Sequence, residues 1–253
     1  MSTSGSGGFS GCGKRKAELA HQPLEEGKRQ VSERRQQLVL CTSGVYGEDY
    51  QRCQQACSVL GARLVSDWSD SVTHLVMLKM SWTPKFLAAL ASLRPIVNLQ
   101  WIAQASEAGP TGQLPNVCDP QFAPIASGPS TEGVAVVRPE RAALFRGRKY
   151  MALPGSDLSD TTKLLEKMGA TCESWPTSLE TDPGSFVAER AASGWHFLSP
   201  GDEKWPTSDE AKAAVAAGAD LISPLLVRTS LIMAKRASVM QIQRSKAVEE
   251  HLK

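Results

Sequence analysis

The chain has 253 residues, of which 42% are apolar, and this length is enough for one large domain or two domains of roughly 100 residues each. The formal net charge of +2 is too small to indicate bulk nucleic-acid binding, and no apolar run approaches the ~20 residues of a membrane span. The first five residues form no apolar stretch, so we expect no secretory signal there. The six cysteines include no C-x-x-C pair, which favours buried thiols in a reducing compartment over a zinc site.

Residues 1–36 form a polar, charged leader, which we expect to be disordered because it has almost no large apolar residues. Segment 8–14 matches most of a nucleotide-binding P-loop, but Arg15 stands where that loop needs a Ser or Thr for magnesium, and no strand is predicted before it. We therefore expect no nucleotide site there. The basic residues of the leader suit nuclear import, DNA contact or a solvated tail, and the last of these is favoured.

Residues 37–110 are predicted to form a first domain. Its pattern predicts strands at 37–42, 62–66, 73–77 and 95–98, with helices at 49–60, at 83–93 and after Asn98. Gly61 ends the first helix, Pro84 lies in the first turn of the second, and Asn98 caps the third. This order of strands and helices predicts a parallel sheet with helices on both faces.

Residues 111–140 are rich in Pro, Gly, Ser and Thr, which indicates a linker, and residues 141–240 repeat the pattern as a second domain. Gly169-Ala170 repeats Gly61-Ala62 at an offset of 108 residues, so the chain holds two copies of one fold. Ser159 and Thr207 are the predicted caps of two helices in the second copy. Segment 174–194 is an insertion of undefined path, and residues 241–253 form a C-terminal tail.

The ordered motifs of both halves resemble tandem BRCT domains. The residues that carry the resemblance are Leu60-Gly61-Ala62, Thr73-His74-Leu75-Val76, Pro95-Ile96-Val97 and Trp101, with weaker matches in the second half. It implies an α/β fold with two tandem BRCT-like domains, each a four-stranded parallel sheet flanked by helices on both faces. Segments 73–77, 94–97 and 145–153 further resemble the nibrin family, whose members belong to the MRN complex that acts at DNA double-strand breaks.

Nibrin-family proteins carry an FHA domain before the BRCT pair and a long tail, with nuclease- and kinase-binding segments, after it. Residues 1–36 are too short and too polar for an FHA domain, and no such tail follows Lys253. We therefore expect a fragment, a variant gene product or a paralogue. Functions that belong to those other regions are not carried over.

Four residues of the first half are candidates for a phosphate site. In tandem BRCT readers the first repeat supplies a Ser/Thr-Gly after its first strand and a Thr-x-Lys at its second helix. The resemblance places these roles on Ser43, Gly44, Thr83 and Lys85: a hydroxyl donor, a backbone N–H donor, a group that orients Lys85 or contacts the phosphate, and a cation in the first turn of a helix. Taken singly, each residue also suits an ordinary turn or a solvated surface.

Two further observations narrow the predicted phosphate site to the first domain and concern the peptide that would bind there. The turn at Leu153-Pro154-Gly155 has no hydroxyl before the glycine, and no Thr-x-Lys follows Leu198, so the site is single and lies in the first domain. Many tandem readers have an Arg that grips the peptide backbone where this chain has Trp82. Trp82 is therefore a possible peptide contact, through an aromatic surface, or a residue that packs on the linker.

The favoured function is a scaffold that binds phosphoserine-containing proteins in the double-strand break response, in the nucleus and on damaged chromosomes. Its expected partners are phosphorylated DNA-damage mediator proteins, and MRN subunits only through regions absent from this chain. The alternative is a structural BRCT pair with phosphate-independent contacts. An enzyme is disfavoured because no G-x-G-x-x-G, no G-x-S-x-G and no paired catalytic constellation is present. No cofactor, no metal and no membrane contact is expected, and direct DNA binding is not expected as the main activity.

Overall fold

The computed structural model describes residues 38–127, 133–154, 157–179, 182–199 and 208–234 of the chain. Within these ranges the chain forms two four-stranded sheets of parallel strands, each flanked by helices. The leader, the P-loop-like segment and the C-terminal tail lie outside the described residues. No helix within the described ranges has the length and apolar character that crossing a membrane requires.

The first sheet is built around a central buried strand. Its strands are β1 (Val39–Thr42), β2 (Arg63–Val65), β3 (His74–Val76) and β4 (Ile96–Val97), and they pair in the order β2-β1-β3-β4. Every residue of β1 is buried. Side chains alternate between the two faces of the sheet along this strand. Leu40 therefore belongs to the buried cluster on one face of the sheet, and Cys41 belongs to the buried cluster on the other face.

Three helices cover this sheet. They are α1 (Gly47–Leu60), α2 (Pro84–Ala91) and α3 (Leu99–Glu107). Trp101 of α3 is fully buried in the cluster that α1 and α3 share, whereas Phe86 of α2 is fully buried in the other cluster. As predicted, Asn98 caps α3: its side chain accepts a hydrogen bond from the Trp101 backbone N–H at 3.2 Å.

The Gly-Ala dipeptide of each repeat follows a helix for a physical reason. Gly61 has φ 66°, in the left-handed region where glycine has no Cβ penalty, and it ends α1. Gly169 has φ 90°, and a Cβ there would lie 3.2 Å from the Arg146 Cα and 3.3 Å from the Ala142 carbonyl oxygen. Both a special backbone conformation and a close approach therefore require glycine at Gly169.

The second sheet repeats the topology of the first. Its strands are β5 (Lys149–Ala152), β6 (Thr171–Glu173), β7 (Trp195–Leu198) and β8 (Leu221–Ile222), and they pair in the order β6-β5-β7-β8. The helices are α4 (Ser159–Lys167), α5 (Pro183–Ala192), α6 (Asp209–Ala216) and α7 (Pro224–Met233). Helix α5 occupies the predicted insertion.

Two predicted caps of the second repeat are wrong. Helix α4 starts at Ser159 itself, and its first turn is held instead by Asp157, whose Oδ1 accepts from the Ser159 N–H at 3.0 Å. Helix α6 is capped by Ser208, whose Oγ accepts from the Ala211 N–H at 3.3 Å, so the cap lies one residue after Thr207. Any of several adjacent polar residues can cap a helix, and tertiary packing decides which one does.

The two repeats meet through helices and share one core cluster. Helix α2 of the first repeat contacts α4 and α7 of the second. Leu90 and Leu87 on α2 belong to the same buried cluster as Leu165 on α4 and Val227 on α7. An ion pair between Lys167 of α4 and Asp70 of the first repeat lies beside this contact. The repeats therefore bury a common apolar surface.

Parts of the predicted linker pack against the repeats. Phe122 is buried in the cluster of α1 and α3, and its carbonyl accepts the Asn98 N–H at 2.8 Å. Further along, Val134 and Ala135 join the core cluster that the two repeats share. The predicted domain limits themselves stay predictions.

Candidate functional site

Ser43 lies at the carboxyl edge of the first sheet, directly after β1. Its backbone N–H donates to the Val76 carbonyl at 2.9 Å, which continues the ladder between β1 and β3 by one residue. Its side chain is held across the fold: the Ser43 and Thr83 hydroxyl oxygens lie 2.9 Å apart. Two residues that are 40 positions apart in sequence therefore form one polar group.

The Thr83 hydroxyl caps α2. Its Oγ1 accepts from the Phe86 N–H at 3.2 Å, which satisfies one of the unpaired donors at the helix start. Because Thr83 has one proton of its own, it can donate that proton to the Ser43 oxygen, which leaves the Ser43 proton for a further acceptor. Thr83 is thus placed to orient Ser43, and its predicted roles of orienting Lys85 or contacting the phosphate stay predictions.

Replacing Thr83 with valine is expected to lower the free energy of unfolding by about 1 kcal/mol, because the α2 cap is lost while the side-chain volume is kept. Thr83→Ser should stay close to the parent protein, since it retains the hydroxyl. Urea unfolding of both variants checks this. A Thr83→Val protein as stable as Thr83→Ser would show that the cap contributes nothing.

Lys85 reaches from the first turn of α2 to the ends of two strands. Its Nζ donates to the Thr42 carbonyl at 3.1 Å and to the Ser66 carbonyl. An ammonium has three N–H donors, so one remains for another acceptor. The Lys85 charge also acts on the buried Cys41 thiol: burial raises the pKa of Cys41, and Lys85 partly opposes that rise.

Gly44 is exposed and follows Ser43 in the left-handed region, with φ 67°. No atom lies within 4 Å of the place where a Cβ would stand, so backbone conformation rather than crowding favours glycine here. Gly44 and Lys85 both line a hollow of about 350 Å³, together with Ser66 and the aromatic rings of Tyr46 and Tyr50. The structure therefore brings Ser43, Gly44, Thr83 and Lys85 to one edge of the first sheet.

Trp82 borders a second hollow, between the two repeats. Its ring meets Phe86 edge-on, with centroids 5.5 Å apart, and 39% of Trp82 remains exposed. The interdomain groove, as we call this hollow of about 410 Å³, is lined by α2, α4 and the start of α7. Lys85 lines both the interdomain groove and the hollow beside Gly44. Trp82 thus contributes an aromatic surface next to the four candidate residues.

Within the described residues, the second repeat has no equivalent group. The Leu153 N–H donates to the Leu198 carbonyl at 3.1 Å, which is the hydrogen bond that Ser43 makes in the first repeat. Leu153 therefore corresponds to Ser43, and Pro154, which has no N–H, corresponds to Gly44. From sequence alone, Pro154-Gly155 was compared with Ser43-Gly44, and the hydrogen bond of Leu153 shifts this comparison by one residue. The second repeat therefore has no hydroxyl at the position of Ser43 and no N–H donor at the position of Gly44.

Comparison with known proteins supports one family. A family model described as a twin BRCT domain matches residues 38–101. Nibrin of Danio rerio is 29% identical over 177 residues, which are 66% of this chain and 22% of that protein. The chain has two tandem BRCT-like domains and resembles nibrin. Both the predicted fold class and the predicted resemblance to nibrin are confirmed.

Two further comparisons agree with this resemblance. Nibrin of Gallus gallus is 28% identical over 137 residues, which are 52% of this chain and 17% of that protein. A solved complex of Rtt107p with a phosphorylated histone has the same fold, with a TM-score of 0.51 and 11% identity over 80% of this chain and 89% of that one. The chain thus spans about a fifth of the length of the nibrins it matches.

Proposed function

We propose that this chain is a scaffold that binds phosphoserine-containing proteins in the DNA double-strand break response. One observation carries the proposal: the Ser43 hydroxyl, the exposed residue Gly44 and the Lys85 ammonium lie at one edge of the first sheet, with Gly44 and Lys85 on the same hollow and Ser43 directly beneath it at 6% exposure. A phosphoserine has a charge of about −1.5 to −2 and three acceptor oxygens, which match these donors. The Rtt107p relative, which was solved with a phosphorylated histone, is compatible with such a use of the fold.

The similarity to nibrin supports the biological setting. The partners of this protein would be phosphorylated DNA-damage mediator proteins, and its location would be the nucleus, on chromosomes at damage sites. MRN subunits would join only through regions of nibrin outside the matched part, which is 22% of the Danio rerio protein.

A second candidate function is a structural BRCT pair that contacts its partners without phosphate. The observation in its favour is that the Lys85 ammonium already donates to the Thr42 and Ser66 carbonyls. In this case Lys85 ties the ends of β1 and β2 together and has no ligand. The two functions differ in what the loss of Lys85 does to binding.

Lys85→Ala is expected to weaken binding of a phosphoserine peptide roughly 10- to 100-fold, because a charge-assisted hydrogen bond is worth about 1.5–3 kcal/mol. The measurement is fluorescence anisotropy with a labelled peptide pool that has a fixed central phosphoserine, beside an unphosphorylated pool of the same design. The phosphorylated pool should bind the parent protein more tightly.

Lys79→Ala is the matched control, because Lys79 is exposed in the same repeat and lines neither hollow. It should bind like the parent protein. Equal affinity for both pools, or unchanged binding in Lys85→Ala, would reject the phosphate site and favour the structural pair.

A further inference from the structure

Tyr46 stands out in the loop between β1 and α1. Among the large apolar and aromatic side chains of the described residues it is the most exposed, at 81%. Its backbone is extended, with φ −138° and ψ 169°, and its side chain makes no capping hydrogen bond at the start of α1. Gly44 and Gly47, close to it on either side, have no side chains that could cover it. The Tyr46 hydroxyl is therefore open to another protein.

The three tyrosines of the chain are very unequal as acceptors of a phosphoryl group. Tyr50 is half-buried on α1, and Tyr150 is fully buried in β5. A protein kinase has to place the acceptor hydroxyl against the γ-phosphate of ATP, which requires a side chain that stands clear of the surface. Of the three, Tyr46 meets this requirement without local unfolding. Glu48 and Asp49 follow it and give the segment the negative charge that suits a basic substrate groove.

Tyr46 borders the same hollow of about 350 Å³ as Gly44 and Lys85. Two of the three N–H donors of the Lys85 ammonium go to the Thr42 and Ser66 carbonyls, which leaves one. A phosphate on Tyr46 adds three acceptor oxygens and a charge of about −1.5 to −2 at this hollow, so it competes with phosphoserine for the remaining donor. The hollow is about as wide as the Debye length of ~8 Å, so water and salt screen the repulsion between the two phosphates only in part.

We propose that Tyr46 is a phosphorylation site and that its phosphate closes the phosphoserine site of the first repeat. In the reaction, Tyr46 Oη bonds to the γ-phosphorus of ATP while the bond from that phosphorus to the β–γ bridging oxygen breaks. ADP leaves, and the phenol proton passes to a carboxylate of the tyrosine kinase. The inference rests on the proposed function, because the site to be closed is the one at Ser43, Gly44 and Lys85.

The fold can carry a phosphate at Tyr46. The residue directly precedes α1, and the N-terminal end of a helix dipole favours negative charge. The nearby carboxylates of Glu48 and Asp49 lie 3.7 Å and 3.3 Å from guanidinium nitrogens of Arg52, which offsets part of their repulsion of the phosphate. We therefore expect the phosphorylated first repeat to stay folded, so that a loss of binding is a local effect.

The test treats the full chain with a purified protein tyrosine kinase that accepts acidic residues after its tyrosine, with and without ATP. Mass spectrometry should find phosphate on Tyr46, little on Tyr50 and none on Tyr150. Fluorescence anisotropy with the phosphoserine peptide pool should then show binding at least ~10-fold weaker than before treatment, because the Lys85 donor is taken and the two phosphates repel each other. Removal of the phosphate by a tyrosine phosphatase should restore the affinity.

Tyr46→Phe and Tyr50→Phe are a matched pair, because each removes one hydroxyl from the wall of the same hollow. Kinase treatment should leave the affinity of Tyr46→Phe at its own value before treatment, and it should weaken binding by Tyr50→Phe as much as binding by the parent protein. Protein synthesised with phosphotyrosine at position 46 provides the same measurement without a kinase and should bind the pool equally weakly.

The outcomes separate the two proposals. If the untreated protein binds the phosphorylated pool but the kinase leaves Tyr46 unmodified, or if phosphate on Tyr46 leaves the affinity unchanged, the inference is wrong and the phosphoserine site stands. If treated Tyr46→Phe also loses affinity, another residue carries the effect and the inference is again wrong. If the untreated protein binds no phosphopeptide, both proposals fail, since there is no site to close.

Discussion

Replacing Arg141 with methionine is expected to lower the free energy of unfolding by about 3–5 kcal/mol. Arg141 is fully buried, and its guanidinium donates to four backbone carbonyls: Nη2 to Val134 at 2.8 Å and to Ile232 at 3.5 Å, Nη1 to Val136 at 2.7 Å and Nε to Leu231 at 2.9 Å. Methionine fills similar space but has no donor. Each buried carbonyl left unpaired costs about 1–3 kcal/mol, and the release of a buried charge offsets part of that.

The position of Arg141 explains why these carbonyls need it. Leu231 lies in the last turn of α7, where its carbonyl also accepts a long hydrogen bond from the Ala234 N–H at 3.3 Å and the helix dipole favours a cation. Burial lowers the pKa of Arg141 to about 10, with a smaller contribution from Arg138, so the side chain stays charged at neutral pH. One side chain thus joins the segment before the second repeat to the end of its last helix.

Arg138→Met is the matched control, because Arg138 is exposed three residues earlier in the same segment. It should change stability by less than about 0.5 kcal/mol. Urea denaturation followed by tryptophan fluorescence measures both variants. If Arg141→Met were no less stable than Arg138→Met, water would have to satisfy the carbonyls at no cost.

The sequence predicted the fold well because local and periodic signals agree with the tertiary structure. The buried strand ending at Thr42, the glycine after α1 and the Asn98 cap all depend on residues close in sequence. Strand ends were less accurate: β1 starts at Val39 where 37 was predicted, since the end of a strand depends on its partner strands. Helix α5 was missed although Asp182 before Pro183 is a usable signal for a helix start.

The site was predicted only as a set of residue types. Resemblance to BRCT readers selected Ser43, Gly44, Thr83 and Lys85, and the structure brings them to one edge. The contact from Thr83 to Ser43 and the bond from Lys85 to Thr42 connect residues 40 and 43 positions apart, and the bond from Lys85 to Ser66 spans 19, so no local pattern contains them. The buried role of Arg141 was missed for the same reason: it pairs with Leu231, 90 residues away.

Lowering the pH from 7.5 to 5 is expected to cost the first repeat about 2 kcal/mol of stability through His74 alone. His74 is largely enclosed in the core and stacks on Trp101, with ring centroids 4.7 Å apart. Burial, with a smaller contribution from Arg94, lowers the pKa of His74 to about 4, from an ordinary value of 6.5. The neutral ring can donate from Nδ1 to the Thr73 hydroxyl oxygen, 3.0 Å away.

The sign of this change in stability with pH follows from proton binding to His74. Between pH 6.5 and 4 the unfolded chain holds a proton on His74 and the folded chain does not, so each fall in pH through that window favours unfolding. The contribution of His74 to the free energy of unfolding is therefore fully present above pH 6.5, and a loss of roughly 3 kcal/mol is reached near pH 4. Carboxylates also titrate at the lower end, so the effect of His74 has to be isolated by substitution.

His74→Phe provides that isolation, because it keeps an aromatic ring against Trp101 and removes the titrating group. Urea unfolding of the parent and of His74→Phe at pH 7.5, 6 and 5 gives two stability curves. The parent curve should fall more steeply by about 2 kcal/mol over this range, and the gap should open mainly below pH 6.5. Parallel curves would mean that His74 titrates alike in the folded and unfolded chains, and that its enclosure against Trp101 does not exclude the charged form.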